Sequence, residues 1–377
     1  MTSRSIIQQS NLAQNRGVQR IVLVGGGHTH ALVLHALSKD PIANADITLI
    51  NPYPLAPYSG MMPGYVAGHY PREALNIDLV QTAQRASARL IQARAIGFDL
   101  VDRSIILEAG ERISYDLASL DVGVTSELRK LKGFEDHAVA AKPFAKFTDR
   151  WEAYRVSKGV KRIAIIGGGV AGVELALAMR FALKTQVDIT IIDRGQILSS
   201  SRSIVQRRLR RVLDRSDISL LENESIEEIA HDGVLLSSSH KVAANFVLSA
   251  AGATPHTWLE QTGLRVQDGF VVTDQYLQTS DPRVFAVGDC AQSKSDPRPK
   301  AGVYAVRQAP VLLNNVRRLL SGRPLMPFRP QSDYLKLISM GGQTALGEKY
   351  GIGLSGRWVW HLKDRIDQRF MQQFSKT

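Results

Sequence analysis

A glycine-rich turn occurs twice in this chain of 377 residues. Ile21–Leu34 reads IVLVGGGHTHALVL and Ile163–Leu177 reads IAIIGGGVAGVELAL, so each copy has an aliphatic run, three glycines and a helix-compatible stretch. A strand that enters a helix through such a turn presents backbone N–H groups to an anion at the start of the helix. The copies lie 142 residues apart (167 − 25). The sequence therefore predicts an internal duplication that binds two dinucleotides, between which electrons pass.

The second copy carries the complete dinucleotide fingerprint. Its glycines are Gly167, Gly169 and Gly172, and Asp193 closes the following strand. A carboxylate at that place accepts hydrogen bonds from an adenosine ribose and repels a 2′-phosphate, which favours NADH over NADPH. Arg194 follows directly, and a guanidinium there can accept a phosphate. We therefore expect NADH at this turn, with NADPH as the alternative.

The first copy departs from the fingerprint at two positions. It keeps three consecutive glycines for the tight bend and the close approach to a pyrophosphate, Gly25, Gly26 and Gly27. His30 stands where the third glycine of the fingerprint would be, so the helix must pack differently against the turn. Asn51 replaces the acid at the end of the next strand, and its amide can still bond a ribose hydroxyl. His28 and His30 are predicted to be structural.

A third motif identifies the first nucleotide. Thr279–Ala291 reads TSDPRVFAVGDCA, which is a polar turn, a short aliphatic strand and the pair Gly288 and Asp289. This pattern resembles the ribityl-binding motif of flavoproteins with two dinucleotides, in which the aspartate accepts a hydrogen bond from the sugar chain of FAD. Cys290 follows, and we interpret it as a packed thiol. The sequence thus predicts FAD at the first turn and a nicotinamide nucleotide at the second.

The order of these motifs resembles the pyridine nucleotide–disulfide oxidoreductase superfamily, in its branch of type II NADH dehydrogenases. Three segments are similar to the FAD-containing, NADH dehydrogenase-like module that occurs fused to selenide, water dikinase: PYSGMMPGYVAGHY at 57–70, KAGVYAVRQAPVLLN at 300–314 and WVWHLKDRIDQRFM at 358–371. The resemblance covers nearly all of residues 19–374. It implies hydride transfer from NADH to FAD, followed by transfer of two electrons to a quinone-like acceptor.

The resemblance also implies roles for single residues. Those expected to line the flavin are Pro57, Ser59, Gly60, Gly302 and Val303. The last two begin a helix whose N-terminus would stabilise the negative charge of the reduced flavin, and Lys300 would add to this effect. Glu174 matches a glutamate near the contact of nicotinamide and flavin, the alternative being an acid favoured by the helix dipole. Glu174 and Lys300 are the predicted catalytic side chains.

The predicted fold class is α/β, with two Rossmann-like domains, the second inserted in the first, and a C-terminal cap. The expected parts are a flexible leader at 1–17, an FAD-binding domain at 18–150 and 266–328, an NAD(P)-binding domain at 151–265, and a cap at 329–377. The cap is expected to contain a hairpin around Gly341 and Gly342, followed by an amphipathic helix.

Composition excludes several classes of function. A single cysteine, Cys290, excludes an internal disulfide, a Cys-x-x-Cys pair and a thiolate metal cluster, and we expect no metal site. It also argues against sulfide:quinone oxidation, which needs cysteines beside the flavin. The polar first twenty residues do not read as a signal peptide, and no apolar run reaches about 18 residues. We therefore expect the cytoplasm.

The net charge of +12 is compatible with binding to an anionic partner, such as a nucleic acid or a membrane surface. Basic residues cluster at 201–215, 317–329 and 357–369 without the aromatic or recognition-helix patterns of nucleic-acid binders, so no nucleic acid is expected. An anionic membrane surface attracts such clusters. The alternative is a basic face that is simply solvated.

The last segment is predicted to be an amphipathic helix. Its apolar side chains recur every four residues, at Trp358, Leu362, Ile366, Phe370 and Phe374. Such a helix can lie on the cytoplasmic face of a membrane and form part of a quinone site. It can instead pack on the chain's own FAD domain or on the second subunit of a homodimer. Two other functions stay open: a soluble reductase linked to selenium metabolism, and a flavin-binding redox sensor with little turnover.

Overall fold

A computed structural model describes residues 17–126, 131–294 and 298–375, so the expected leader lies, apart from Gly17, outside the described residues. The helices are α1 (His28–Leu37), α2 (Met62–Val66), α3 (Leu79–Arg85), α4 (Phe134–His137), α5 (Phe144–Val156), α6 (Val170–Leu183), α7 (Ser203–Arg215), α8 (Gly302–Leu320) and α9 (Arg357–Gln372). The strands before residue 127 are β1 (Gln19–Val24), β2 (Ala45–Ile50), β3 (Leu55–Pro57), β4 (Asn76–Asp78), β5 (Arg89–Ile91), β6 (Ala95–Asp99), β7 (Ser104–Leu107), β8 (Arg112–Ser114), β9 (Leu117–Leu120) and β10 (Thr125–Ser126). The later strands are β11 (Ala138–Ala140), β12 (Lys161–Ile166), β13 (Val187–Ile192), β14 (Ile218–Leu221), β15 (Ile226–Ala230), β16 (Gly233–Leu236), β17 (Lys241–Ala243), β18 (Phe246–Ser249), β19 (Ala253–Thr254), β20 (Val266–Gln267), β21 (Phe270–Thr273), β22 (Val284–Ala286), β23 (Ala291–Ser293), β24 (Lys336–Ser339), β25 (Ala345–Lys349) and β26 (Ile352–Gly356).

Two five-stranded parallel sheets are built in the same way. The first has the order β22-β9-β1-β2-β5 and the second the order β11-β18-β12-β13-β14. The strand that leads into each glycine turn, β1 or β12, lies at the centre of its sheet and pairs with β2 or β13 along its whole length. These central strands are mostly buried aliphatic runs, as parallel sheets covered by helices require. The predicted α/β fold with two Rossmann-like units is confirmed.

One boundary between the two units differs from the sequence expectation. β22 comes from the segment that follows the second unit, and it completes the first sheet by pairing with β9. β11 lies within residues 18–150, yet it pairs with β18 of the second sheet. Phe147 and Trp151 of α5 are buried in the core of that second unit. The second unit therefore begins before residue 151, because the short apolar strand and the helix ahead of β12 bury their side chains against it.

The C-terminal cap consists of an antiparallel sheet and α9. β24 and β25 form the predicted hairpin around Gly341 and Gly342, and β26 adds a third strand. Val359 and Trp360 of α9 pack with Ala345 of β25 in a small core. The hairpin and helix of the predicted fold class are therefore present, with one strand more than expected.

The apolar row of α9 is divided between the core and the surface. Phe370 and Phe374 are buried in the core of the first unit. Trp358, Leu362 and Ile366 are 56%, 39% and 45% exposed. The end of the helix thus packs on the chain's own first unit, whereas its start presents apolar side chains to solvent. Within the described ranges, no helix has both the length and the apolar character needed to cross a bilayer.

Candidate dinucleotide-binding site

The first glycine turn is packed tightly against the residue that follows β9. Gly25 has φ +95°, and a Cβ there would lie 2.3 Å from the carbonyl oxygen of Asp121. A Cβ on Gly27 would lie 2.2 Å from the carboxyl carbon of Asp121. α1 begins directly after Gly27. Only glycine fits at Gly25, a Cβ on Gly27 would displace the carboxyl group of Asp121, and the turn leads into a helix N-terminus of the kind that binds a pyrophosphate.

His30 explains how the first turn works without its third glycine. In the second copy, a Cβ on Gly172 would lie 2.0 Å from the carbonyl oxygen of Gly167. In the first copy, the His30 ring bridges this region, with Nδ1 2.7 Å from Gly25 O and Nε2 2.8 Å from Ser119 Oγ. Burial lowers the pKa of His30 to about 4, so the ring is neutral. The two polar contacts replace the close backbone approach.

The residue at the end of the second strand holds the middle glycine in both turns. Asn51 Oδ1 accepts a hydrogen bond from Gly26 N at 2.8 Å, and Asp193 Oδ2 accepts one from Gly168 N at 2.6 Å. The other oxygen of Asp193 accepts a hydrogen bond from Gly195 N at 2.8 Å. Both side chains therefore stabilise their turns, in addition to the ribose contact predicted for them. A carboxylate has further lone pairs, so Asp193 can still accept from a ribose hydroxyl.

One large cavity brings together most of the predicted site residues. Its volume is about 1730 Å³, larger than the ~300–1,000 Å³ typical of sites for drug-sized ligands. The predicted residues that line it are Gly25, Gly26, Gly27, Asn51, Pro57, Ser59, Gly60, Glu174, Gly288, Asp289, Lys300, Gly302 and Val303. The predicted residues outside its lining are Gly167, Gly169, Gly172 and Asp193. The second unit reaches the cavity through β11 and through Val170, Ala171 and Glu174 in the first half of α6.

The loop after β22 borders this cavity. Gly288 has φ +66°, and its N–H donates to Gln308 Oε1 of α8 at 2.8 Å. The carboxylate of Asp289 forms an ion pair with Lys142 at 3.3 Å. α8 begins at Gly302, where the family resemblance places a helix start. A glycine turn, an acidic loop and a second helix N-terminus thus surround one space, and this lining suits FAD.

The ammonium of Lys300 is held by neighbouring protein groups. It donates a hydrogen bond to Ala291 O at 2.6 Å and lies 3.9 Å from the centre of the Phe270 ring. Burial lowers the pKa of Lys300. The residue lines the cavity with a fixed ammonium, so stabilisation of reduced flavin by its charge stays a prediction.

Glu174 of α6 is partly buried in the cavity wall, where this helix faces the cap. Its Oε1 accepts a hydrogen bond from Ser339 N of β24 at 2.7 Å. Burial raises the pKa of Glu174 to about 7, and the positive charge of Lys363 on α9 opposes this shift. A carboxyl group with such a pKa can exchange a proton near neutral pH.

A buried polar network on α9 lines the cavity as well. Lys363 Nζ donates to Asp367 Oδ2 and to Gly60 O, both at 2.6 Å. Tyr58 OH donates to the other oxygen of Asp367 at 2.9 Å. The network therefore fastens the loop after β3, which the resemblance places against the flavin, to the C-terminal helix.

The polar residues of the lining that sequence reasoning missed include Tyr58, Asp121, Lys363 and Asp367. Lys363 and Asp367 are four residues apart on a predicted helix, a spacing that favours an ion pair and was available as a signal. Asp121 directly follows the buried strand β9, where an acidic residue is unusual enough to serve as a signal. Tyr58 carries no such signal, because its partner is 309 residues away.

His28 and Cys290 behave as packed groups. Burial lowers the pKa of His28 to about 4, and its ring contacts those of Tyr58 and Phe370 at centroid distances of 5.3 and 5.8 Å. Burial raises the pKa of the Cys290 thiol to about 12. Neither group changes charge near neutral pH, which agrees with structural roles for both.

The sequence of this chain matches a known protein family, which agrees with the fold and the site. Residues 19–309 match the family model described as pyridine nucleotide-disulphide oxidoreductase. The chain belongs to this family and is an oxidoreductase that uses FAD and a pyridine nucleotide.

Individual relatives cover most of the chain. The NADH dehydrogenase-like protein YutJ of Bacillus subtilis (strain 168) is 24% identical over 345 residues, which are 89% of this chain and 92% of that protein. The structure of NDH2 from Plasmodium falciparum in complex with NADH superposes with a TM-score of 0.79 at 14% identity, over 95% of this chain and 97% of that one. The sulfide:quinone oxidoreductase from Aquifex aeolicus has a TM-score of 0.77 at 17% identity, over 94% and 91% of the two chains.

Proposed function

We propose that this protein oxidises NADH and reduces a quinone-like acceptor at a membrane surface. The observation that carries the proposal is Ile366, which lines the cavity and is also part of the exposed apolar row of α9. Trp358, Leu362 and Ile366 follow one another at four-residue steps on one face of α9, so this apolar row extends from the surface to the edge of the cavity. A quinone, with its apolar ring and tail, needs such a path. The similarity of this chain to YutJ and the fold that it shares with NDH2 support the proposal.

The protein's part in the reaction is binding, orientation and exclusion of water. In this proposal the turn at Gly25 and the loop at Gly288 hold FAD, and the start of α6 directs the nicotinamide nucleotide into the same cavity. Bound FAD supplies the redox chemistry, since it accepts a hydride from NADH and returns two electrons to an acceptor. Holding both partners in one enclosed space converts a bimolecular encounter into an oriented transfer.

The acceptor is tested by rapid mixing. Holoprotein that has been reduced with one equivalent of NADH without oxygen should be reoxidised much faster in the presence of a short-chain benzoquinone or naphthoquinone than in buffer. Reoxidation at the same rate with and without quinone would refute the quinone as acceptor. Such a result would not affect the assignment to the oxidoreductases, which is tested by the bleaching of the flavin on addition of NADH.

Glu174 is proposed as the proton donor, because reduction of a quinone takes up a proton with each electron. Glu174→Gln should leave flavin bleaching by NADH unchanged and slow quinone-dependent reoxidation by roughly a hundredfold. The wild-type rate should fall as the pH rises through about 7, where Glu174 loses its proton, and the variant should lack this dependence. Glu108→Gln, at an exposed surface acid, is the control. An unchanged pH profile in Glu174→Gln would contradict the role.

We propose that the protein prefers NADH to NADPH because of the carboxylate of Asp193. Asp193→Asn keeps an acceptor for Gly168 N, as Asn51 does for Gly26 N in the first copy, while removing the charge that repels a 2′-phosphate. The ratio of kcat/KM for NADPH to that for NADH should rise about tenfold. Asp188→Asn, at an exposed acid on the same strand, should leave the ratio unchanged. A wild-type preference for NADPH would show that the assignment is wrong.

Membrane contact is proposed for the exposed row of α9, on the side of the membrane that supplies NADH. The arginines at the surface of α7 and the net charge of +12 favour anionic lipid. Holoprotein should co-sediment with vesicles that contain anionic phospholipid, and replacing Leu362 and Ile366 together by Glu should abolish this. Val101→Glu, at an exposed apolar residue of the first unit, is the control. If the double variant instead converts a dimer into a monomer and leaves sedimentation unchanged, the row is a homodimer interface.

A further inference from the structure

The two Rossmann-like units differ at one equivalent position beneath their glycine turns. Asp121 follows β9, and its N–H bonds Val24 O at 2.8 Å. Ala250 follows β18, and its N–H bonds Ile166 O at the same distance. The first unit thus has a carboxyl group where the second has only a methyl group.

The carboxyl group of Asp121 occupies the N-terminus of α1. Its Oδ2 accepts hydrogen bonds from Thr29 N at 2.9 Å and His30 N at 3.2 Å. Its Oδ1 lies next to Gly288, where a Cβ would come within 2.3 Å of it. The side chain is buried, yet it belongs to the cavity lining. An acid of the protein itself therefore sits between the glycine turn and the Gly288 loop, at the helix terminus that would receive the FAD pyrophosphate.

Among the residues that the structure describes, the groups around Asp121 supply no countercharge. The titratable and charged groups around it are His28, His30, Lys142, Asp289, Cys290 and Lys300. Both histidines are neutral because burial lowers each pKa to about 4. Lys142 is paired with Asp289, and Lys300 bonds a backbone carbonyl. Burial, with a contribution from the charge of Asp289, raises the pKa of Asp121 to about 7, although the amides of Thr29 and His30 oppose the shift.

We propose that Asp121 takes up a proton when FAD binds, so that this residue links FAD affinity to pH. An ionised carboxylate and a diphosphate compete for the same helix terminus and repel each other. A protonated Asp121 still accepts from the α1 amides through one oxygen, and it has an O–H to donate to a phosphate oxygen. One proton is thus taken from solvent for each FAD bound to the ionised protein. The Ala250 unit has no such group, so binding of the nicotinamide nucleotide carries no equivalent linkage.

To measure this linkage, holoprotein is diluted into buffers between about pH 6 and about pH 9. The fluorescence of free flavin reports how much FAD is released and gives the Kd at each pH. Above about pH 7 the Kd of the wild type should rise by up to roughly tenfold for each pH unit. Asp121→Asn should bind FAD with a Kd that is nearly independent of pH. Asp121→Ala, which copies Ala250, should do the same. Asp274→Asn is the matched control, since Asp274 is another acid of the first unit with a raised pKa but lies outside the cavity.

A flat wild-type profile would overturn the proposal, and so would a slope that persists in Asp121→Asn or disappears in Asp274→Asn. If neither Asp121 variant folds, the proposal is tested by calorimetry of FAD binding to the wild type in two buffers of different ionisation enthalpy. Uptake of about one proton per FAD above pH 7 is expected, and binding without proton uptake would refute the proposal. The inference rests on FAD binding at the first turn. The flavin absorbance of the purified protein tests that point separately.

Discussion

Gly25→Ala should yield a protein that has lost nearly all of its FAD. The new Cβ would lie 2.3 Å from the carbonyl oxygen of Asp121 and 2.8 Å from the Cα of Val122. Both are backbone atoms, which cannot rotate away, so the turn itself must open. The clash and the left-handed φ, which is unfavourable for an L-residue, together cost about 3 kcal/mol. This cost corresponds to a loss of FAD affinity of roughly a hundredfold. The ratio of flavin to protein absorbance after purification measures it.

Gly68→Ala is the matched control for this experiment. Gly68 also has a positive φ, +86°, but apart from its two chain neighbours no described residue has an atom within 4 Å of the position of its Cβ. The substitution therefore introduces backbone strain without a clash and should cost only about 1 kcal/mol, with FAD retained. Full flavin content in Gly25→Ala would mean that the first turn is not where FAD is held.

Lys363→Met should lower the free energy of unfolding by about 3–5 kcal/mol. Lys363 and Asp367 are 12% and 7% exposed, and their charged atoms are 2.6 Å apart. Removing the cation leaves a buried carboxylate whose remaining donor, among the described residues, is the hydroxyl of Tyr58, and it leaves Gly60 O without its lysine. Denaturant unfolding of the holoprotein, followed by circular dichroism, measures the loss.

Two further variants show whether the buried charge is the cause. Lys363→Met combined with Asp367→Asn removes both charges and should recover at least half of the lost stability. Lys132→Met breaks a pair of similar length with Glu228, 2.8 Å, but Lys132 is 75% exposed, so the change should stay within about 0.5 kcal/mol. A single Lys363→Met variant as stable as the wild type would contradict the role assigned to this pair.

Sequence patterns predicted those parts of the site that depend on local backbone geometry. Gly25 and Gly167 have φ +95° and +109°, and each leads from a buried strand into a helix, so the motif and its geometry occupy one short stretch of chain. The boundary before β12 was placed too late, because the short strand β11 has no periodicity of its own and is defined by its pairing with β18.

The polar lining of the cavity could not be predicted in the same way. Lys363 donates to the carbonyl of Gly60, 303 positions earlier, and Glu174 accepts from Ser339, 165 positions later. No local pattern carries such partners. The raised pKa values of Glu174 and Asp121 depend on burial, which a residue acquires only when distant segments enclose it.

The sequence by itself therefore determined the two parallel sheets and the two glycine turns, and it predicts FAD at the first turn and a nicotinamide nucleotide at the second. These features follow from strand–turn–helix units in which only glycine fits the backbone. Only the tertiary structure decided that the first turn encloses an acid, that two of the five residues of the C-terminal apolar row are buried, and that Glu174 and Lys363 meet at one cavity. The reason is physical, since charge burial and side-chain pairing are properties of the assembled fold and of no single segment.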